Sequence, residues 1–394
     1  MFGKMKTDVI GGGRSSVSIP DVTFEQVLEY NKMCNDMGIR FNYLLNPLCM
    51  GNRDVLPDEH KKIISFLGKL YDGGIRWVTI CSPYLLKIIK KQFPEMKITI
   101  GLYAFITNLQ QAFQWVNMGA DEITLSQSYN RNFPALKILL SELRNYDVNV
   151  RLIANNGCLH ECPFSVSHGS AASHSSSDSD ESGSKYFDYN LINCYHRKIN
   201  YPDNILASDW IRPEDLHYYE ELCDETKNHR LLMKLVERTK PTDFLIRVID
   251  AYRTQHYDGN LIDLFNWIGN RGIDTGNDNS AYIKLIQSGK VDQEAFLRYS
   301  SFFSIPDVWI DNNLLDGFIR HFVNNYQCDK KICWMKNEDP TENNGLYCTY
   351  CHEWRKKVFS VNTEQRNRWA KGTEKLKDDF ESSRFFNTGT GENK

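Results

Sequence analysis

The stretch KITIGLYAFITNLQQAFQWVNMGADEITLS, residues 97–126, decides the fold. Its ends, KITIGLYA (97–104) and DEITLS (121–126), are short runs rich in β-branched residues and read as strands. Between them NLQQAFQWVNMGA has helical apolar spacing and places a glycine where the helix should stop. The same alternation extends in both directions. Strand-like runs recur at KTDVIG (6–11), IRFNYLL (39–45), WVTIC (77–81), NVRLIA (149–154), NILASD (204–209) and LLMKLVE (231–237). Helix-like segments such as FEQVLEYNKMCNDMG, EHKKIISFLGKLYDGG and FPALKILLSELRNY separate them. Strands that alternate with helices pair in parallel, and eight of them predict an α/β fold closed as a (β/α)8 TIM-like barrel over residues 1–240. From Pro241 the pattern turns helical, so residues 241–394 read as a helical extension with a cysteine-rich knuckle at 328–351 and a polar tail. Residues 165–185, SVSHGSAASHSSSDSDESGSK, have almost no apolar content and are expected to be disordered.

The totals narrow the class. The chain has 394 residues, 41% hydrophobic and 25% charged, with a net charge of −3. That balance gives no global basic field for nucleic acid. No apolar run reaches the ~18–20 residues a membrane span requires, and MFGKMKTDVIGGG lacks the apolar core of a secretion signal, so a cytoplasmic protein is expected. Eleven cysteines in a reducing compartment point to metal ligation or redox chemistry rather than disulfides.

A barrel puts its chemistry at the C-terminal ends of the strands. The segments expected there are GGGRS, NPLC, SQSYNR, NNGCLHEC, DWIRPED and ERTKP. Arg14 with its preceding glycines reads as an anion cradle or as a tight turn. Arg131, beside Asn130, reads as a carboxylate clamp or a helix-start ion pair. Pro213, Glu214 and Asp215 suit the first turn of a helix, which leaves Asp209 and Arg212 to face the mouth. Glu237, Arg238 and Lys240 form a charged cluster at the same opening. For hydrolysis there is neither GxSxG nor HExxH, and His160 beside Cys158 makes a poor nucleophile–base pair.

The cysteines sort into groups. Cys34, Cys81 and Cys223 read as small buried hydrophobes, and Cys49 either faces the mouth or does not. Cys158, Cys162 and Cys194 read as ligands, since two thiolates in one short loop reach one metal or cluster together. Cys328, Cys333, Cys348 and Cys351 have the arithmetic of a four-thiolate site, for zinc or for a second iron–sulfur cluster. One of them could instead complete the first set.

IGGGRS, GADEITLS followed by NR, NNGCLHEC, WIRPEDL and KLVERTKPTDFL together resemble the collagenase-like U32 peptidase family over roughly residues 3–270. The resemblance implies a barrel carrying a 4Fe-4S cluster held by four cysteines. Relatives of this kind hydroxylate a ubiquinone ring or an RNA base without oxygen, some of them taking the hydroxyl from prephenate. It implies Cys158, Cys162 and Cys194 as three cluster ligands. Where the family's fourth cysteine follows the PEDL segment, this chain has His217. Either His217 ligates, or a distal cysteine does, or one iron stays open. The resemblance further implies a small-molecule or RNA substrate and a protein partner of the same family. Two other readings stay open: a peptidase, as the family name says, and a metal-stabilised RNA-binding module without catalysis, to which RNRWAKGTEKLK in the tail would lend basic charge.

Overall fold

The computed structural model describes residues 1–16, 19–177, 187–236, 240–268, 287, 289–333 and 347–386. Seven parallel strands form one sheet in sequential order: β1 (Phe2–Gly3), β2 (Asn42–Leu45), β3 (Trp77–Ile80), β4 (Lys97–Ile100), β5 (Glu122–Thr124), β6 (Asn149–Ile153) and β7 (Leu231–Lys234). Parallel neighbours need crossovers, and helices α1 (Phe24–Asp36), α2 (Pro57–Asp72), α3 (Pro83–Gln92), α4 (Leu109–Met118) and α5 (Phe133–Leu143) supply those between the first six strands. The 97–126 stretch folds as its pattern predicts: Thr99 and Ile100 register with Glu122 and Ile123, and Gly119 ends α4 in the left-handed conformation at φ +107°.

The sheet is curled. Asn42, Thr79, Thr99 and Glu122 are joined across its inner face by hydrogen bonds of 2.7–3.0 Å, and Arg151 pairs with Glu122 at the far end. The Phe2 ring of β1 lies under Arg151 at 4.9 Å and under Lys234 of β7 at 4.3 Å, so the first and last strands approach across the concavity. No ladder joins β7 to β1 among the described residues. The sheet is an open, curled half-barrel.

Three expectations change. KTDVIG is not a ladder strand: its Asp8 makes an isolated bridge with Ser177, and β1 lies earlier, at Phe2–Gly3. NILASD is helical as α8 (Asp203–Ala207), after α6 (Ser165–His174) and α7 (Tyr189–Asn200). It has one β-branched residue, and Pro202 before it presets a helical start. Among the described residues the sheet therefore has seven strands rather than eight, and no closed barrel is formed.

The serine-rich insertion is ordered as far as it is described. Residues 165–174 form α6, and Ser173, Ser176 and Ser177 are buried. Ser176 Oγ accepts from Gly12 N at 2.7 Å, and Leu48 N donates to Ser173 Oγ at 2.7 Å. Small side chains let this helix approach closely: a Cβ at Gly169 would meet Leu48 at 2.9 Å and Tyr103 at 3.1 Å. Composition misleads here because the backbone of the GGGRSS turn, not apolar area, supplies the contacts. Residues 178–185 of the insertion lie outside the described residues.

α9 (Leu216–Thr226) leads into β7, and beyond the sheet come α10 (Thr242–Thr254), α11 (Gln293–Phe302), α12 (Arg320–Asn325), α13 (Tyr350–Val358) and α14 (Thr363–Glu381). β8 (Val308–Ile310) pairs antiparallel with β11 (Phe359–Val361), and β9 (Ile332–Cys333) pairs parallel with β10 (Tyr347–Cys348). Helix α14 packs on α7 and α11, and buried apolar residues of both halves form one continuous cluster. No helix among the described residues is long and apolar enough to cross a membrane.

Candidate metal sites

The loop after β6 is fixed by Asn155, which accepts from Val236 N at 2.7 Å and donates to Leu264 O at 2.9 Å. The thiols of Cys158, Cys162 and Cys194 lie within electrostatic reach of one another there. Cys194 and Lys198 lie four residues apart on α7 and so share a face. Burial raises the Cys158 thiol pKa, against the pull of Lys198. Burial, then Cys194, pushes Cys162 up to about 11. Lys198 is 4% exposed and lies over the rings of Tyr195 and Trp267 at 4.7 and 5.7 Å. Burial works against its charge, yet Cys194, Tyr195 and Cys158 around it shift its pKa upward overall. An ammonium this enclosed requires negative charge beside it, and the three sulfurs are placed to carry it.

The mouth has further members. Tyr103 donates to Gly13 O at 3.2 Å, and burial lifts its pKa to about 12 against the charge of Arg14. Arg14 acts on Cys158 as well. Cys81, just past β3, is half-buried, its thiol pushed up to about 12 by desolvation, and lies within electrostatic reach of Lys234 and Tyr103. Sequence reading missed Tyr103, Lys198 and Lys234 and assigned Cys81 to the core. The position of Cys81, Tyr103 and Lys234 just at strand ends was the available signal; Lys198 sits mid-helix and gave none.

The polar residues expected at the mouth are mostly engaged elsewhere. Asn130 is fully buried and donates to Ile153 O at 2.8 Å and Asp209 O at 2.6 Å, stapling the DWIRPED segment to β6. Arg212 forms a two-pronged pair with Asp215 at 2.7 and 3.0 Å and donates to Asn312 O at 2.9 Å. Asp209 holds His160 Nδ1 at 3.0 Å through both oxygens. Burial opposes the charged imidazole, but Asp209 outweighs it and raises the His160 pKa. Arg131 is 1% exposed, lies over the Trp210 ring at 4.0 Å, and donates to Trp210 O at 3.0 Å and Leu206 O at 2.9 Å. His217 is exposed at the start of α9, bonded to Glu214 O at 2.9 Å and stacked on Tyr218. It is turned to solvent, not toward the loop thiols. Cys49 accepts from Gly51 N at 3.3 Å in a local turn. Lys240 donates to Trp267 O at 2.5 Å, while Glu237 and Arg238 lie outside the described residues.

The second thiol set is built by the β9–β10 pair, in which Cys333 and Cys348 are register partners. Cys351 sits in the first turn of α13, and Cys328 precedes β9. All four line one pocket with Asp203, His321, Phe322 and Tyr350. Burial pushes Cys328 to about 12 and Cys333 to about 11, and raises Cys351 well above its usual value. Each of these three has its neighbouring thiols within the same set. The structure thus groups the cysteines three and four, and no distal thiol is among the charges that act on Cys158 or Cys162.

Among the described residues, no three His, Cys, Asp or Glu side chains stand at coordinating distance from a common point. The fit to a metal therefore rests on donor chemistry and on the charges facing the donors. Thiolates bind zinc and iron–sulfur clusters, and each set faces a buried cation, Lys198 or Arg131.

No family model matches the chain. It is 27% identical over 277 residues to an uncharacterized protease of Methanocaldococcus jannaschii, covering 68% of this chain and 78% of that protein. The solved structure of a U32 peptidase aligns with a TM-score of 0.37 and 19% identity, over 43% of this chain and 67% of that one.

Proposed function

We propose, from the resemblance of the chain's motifs to the U32 peptidase family, that its mouth thiols hold an iron–sulfur cluster serving oxygen-independent hydroxylation, or a related redox modification, of an RNA base or a small aromatic metabolite. The observation that carries this reading is the convergence of Cys158, Cys162 and Cys194 on a buried Lys198 at the C-terminal edge of the sheet. A 4Fe-4S cluster there would supply one-electron chemistry and, with three cysteine ligands, one iron open to substrate. Lys198 offsets the charge of the thiolates from within the protein. Arg14, next to Tyr103, adds the positive charge that an anionic oxygen donor such as prephenate would need. The α6 helix packs against this edge through Gly169 and Ser173.

The relative's name favours a second reading, a peptidase. The thiol environment argues against a cysteine nucleophile. A catalytic cysteine has a depressed pKa, whereas burial raises that of Cys158, and the charges acting on it are Lys198, Cys194 and Arg14, not His160. Anaerobic purification followed by iron, sulfide and zinc analysis tests the proposal. Roughly four irons with sulfide and a broad absorption near ~400 nm, lost in Cys194→Ala, would support it. Zinc without iron would sink it.

A further inference from the structure

We infer that Cys328, Cys333, Cys348 and Cys351 form a metal–thiolate centre of their own, with Arg131 as its buried counter-ion. The inference goes beyond the mouth reading and stands whether or not a cluster is held there. It starts from Arg131. The guanidinium is 1% exposed, enclosed by the rings of Trp210, Phe318 and Phe322 at 4.0, 4.9 and 5.1 Å. Two carbonyls accept from it, and among the described residues Nη2 has no partner. No carboxylate lies within 4.0 Å of it among the described residues.

A buried charge without an anion is costly by several kcal/mol, so folded proteins pair such groups. Arg131 lies over Phe322, which lines the pocket of the four thiols, and its charge acts on Cys351 and Cys328. The Asp209 carboxylate acts on Cys328 and Cys333 too, but it is already held by His160. Neutral thiols would leave the guanidinium uncompensated. Four thiolates around one divalent ion carry about two net negative charges, of which the buried cation offsets one. A second orphan points the same way: His321 lines the pocket, stacked on Tyr350 at 4.2 Å, and its buried Nε2 has no partner. On binding, the ion displaces one proton from each thiol to solvent, and no electron is transferred.

The test uses cobalt(II) as probe, on the full chain with Cys158, Cys162 and Cys194 changed to alanine so that the mouth set is silent. One ion should bind with the charge-transfer and ligand-field absorption of tetrahedral thiolate coordination, lost in Cys351→Ser. Arg131→Met should weaken binding about 10–100-fold, the usual reach of a supporting residue, and Arg131→Lys only severalfold. Should Arg131→Met not fold, Arg131→Gln decides, since it keeps a donor for the carbonyls and removes the charge. The loss of melting temperature in these variants should be larger with cobalt than after chelation, whereas a merely structural arginine would give equal losses. Unchanged cobalt affinity without the charge, equal losses, or no tetrathiolate spectrum in the parent would each overturn the inference. The outcome is independent of iron at Cys158, so its failure is distinguishable from failure of the mouth reading.

Discussion

The two thiol clusters are built from the same residue type by opposite routes. At the mouth, Cys158 and Cys162 ride on a loop whose position follows from strand β6, and a helix 32 residues further on delivers Cys194 with Lys198. The sheet is the scaffold, and the thiols are placed upon it. In the distal knuckle the order reverses. Strands β9 and β10 have two residues each, too short to be stable alone, and Cys333 and Cys348 are themselves the paired residues. There the cysteines hold the local structure rather than decorate it. The contrast teaches that a metal lost from the mouth should change chemistry, while a metal lost from the knuckle should change folding.

The largest expected effect follows from that contrast. Cys351→Ser should remove the distal metal and lower the melting temperature by about 10 °C or more, since binding energy at such sites is folding energy. Calorimetry checks it, and a shift no larger than that of Cys158→Ala would erase the distinction. Next comes Lys198→Met. Without its buried cation the mouth set should hold metal about 10–100-fold more weakly while the fold stays intact. Competition with a chelator, read beside circular dichroism, measures this. A smaller effect is expected at the plug. Ser176→Ala removes a hydroxyl that accepts from Gly12 N at 2.7 Å and donates to Ser173 O or Gly12 O, each at 2.9 Å. It should cost about 1–3 kcal/mol and speed the reaction of the mouth thiols with a maleimide. Unchanged thiol reactivity would mean that α6 does not cover the site.

The smallest effect belongs to the frame, far from both clusters. Asp121 is partly desolvated, which raises its pKa, but Lys90 at 2.7 Å and Lys97 at 2.9 Å outweigh this and leave it lowered. A carboxylate with a depressed folded pKa contributes stability that is present above its unfolded value and lost as pH falls through the folded one. Asp121→Asn should therefore cost about 1 kcal/mol at neutral pH, discounted for solvent exposure, and the difference should vanish at strongly acid pH. Denaturant unfolding at several pH values reads it directly. Neither metal content should change.

Much of this architecture was legible in the residues, and what was not has physical causes. Short runs rich in β-branched residues, alternating with helices, marked β2 to β6 because these strands are largely buried on both faces and must be apolar or internally bonded, as Thr99 and Glu122 are. NILASD failed because a buried helix and a buried strand look alike over six residues. The serine-rich plug failed because its contacts are hydroxyl-to-backbone, which composition does not register. At the sites, spacing set Cys158, Cys162 and Cys194 apart from the four distal cysteines but left open whether a distal cysteine joins the first set. Lys198 and Arg131 did not announce themselves as counter-ions, since a cation on a helix or at a loop end normally faces water, and only burial distinguishes these two.

The most direct test of the account is to count metal and sulfide in the full chain, purified without oxygen, as Cys158→Ala, as Cys351→Ser and as both together. Two independent centres predict that each variant loses only its own metal, with the other's complement unchanged, and that the double variant loses both. If Cys351→Ser also emptied the mouth, or Cys158→Ala the knuckle, the seven cysteines would serve one centre, and the division proposed here would be wrong.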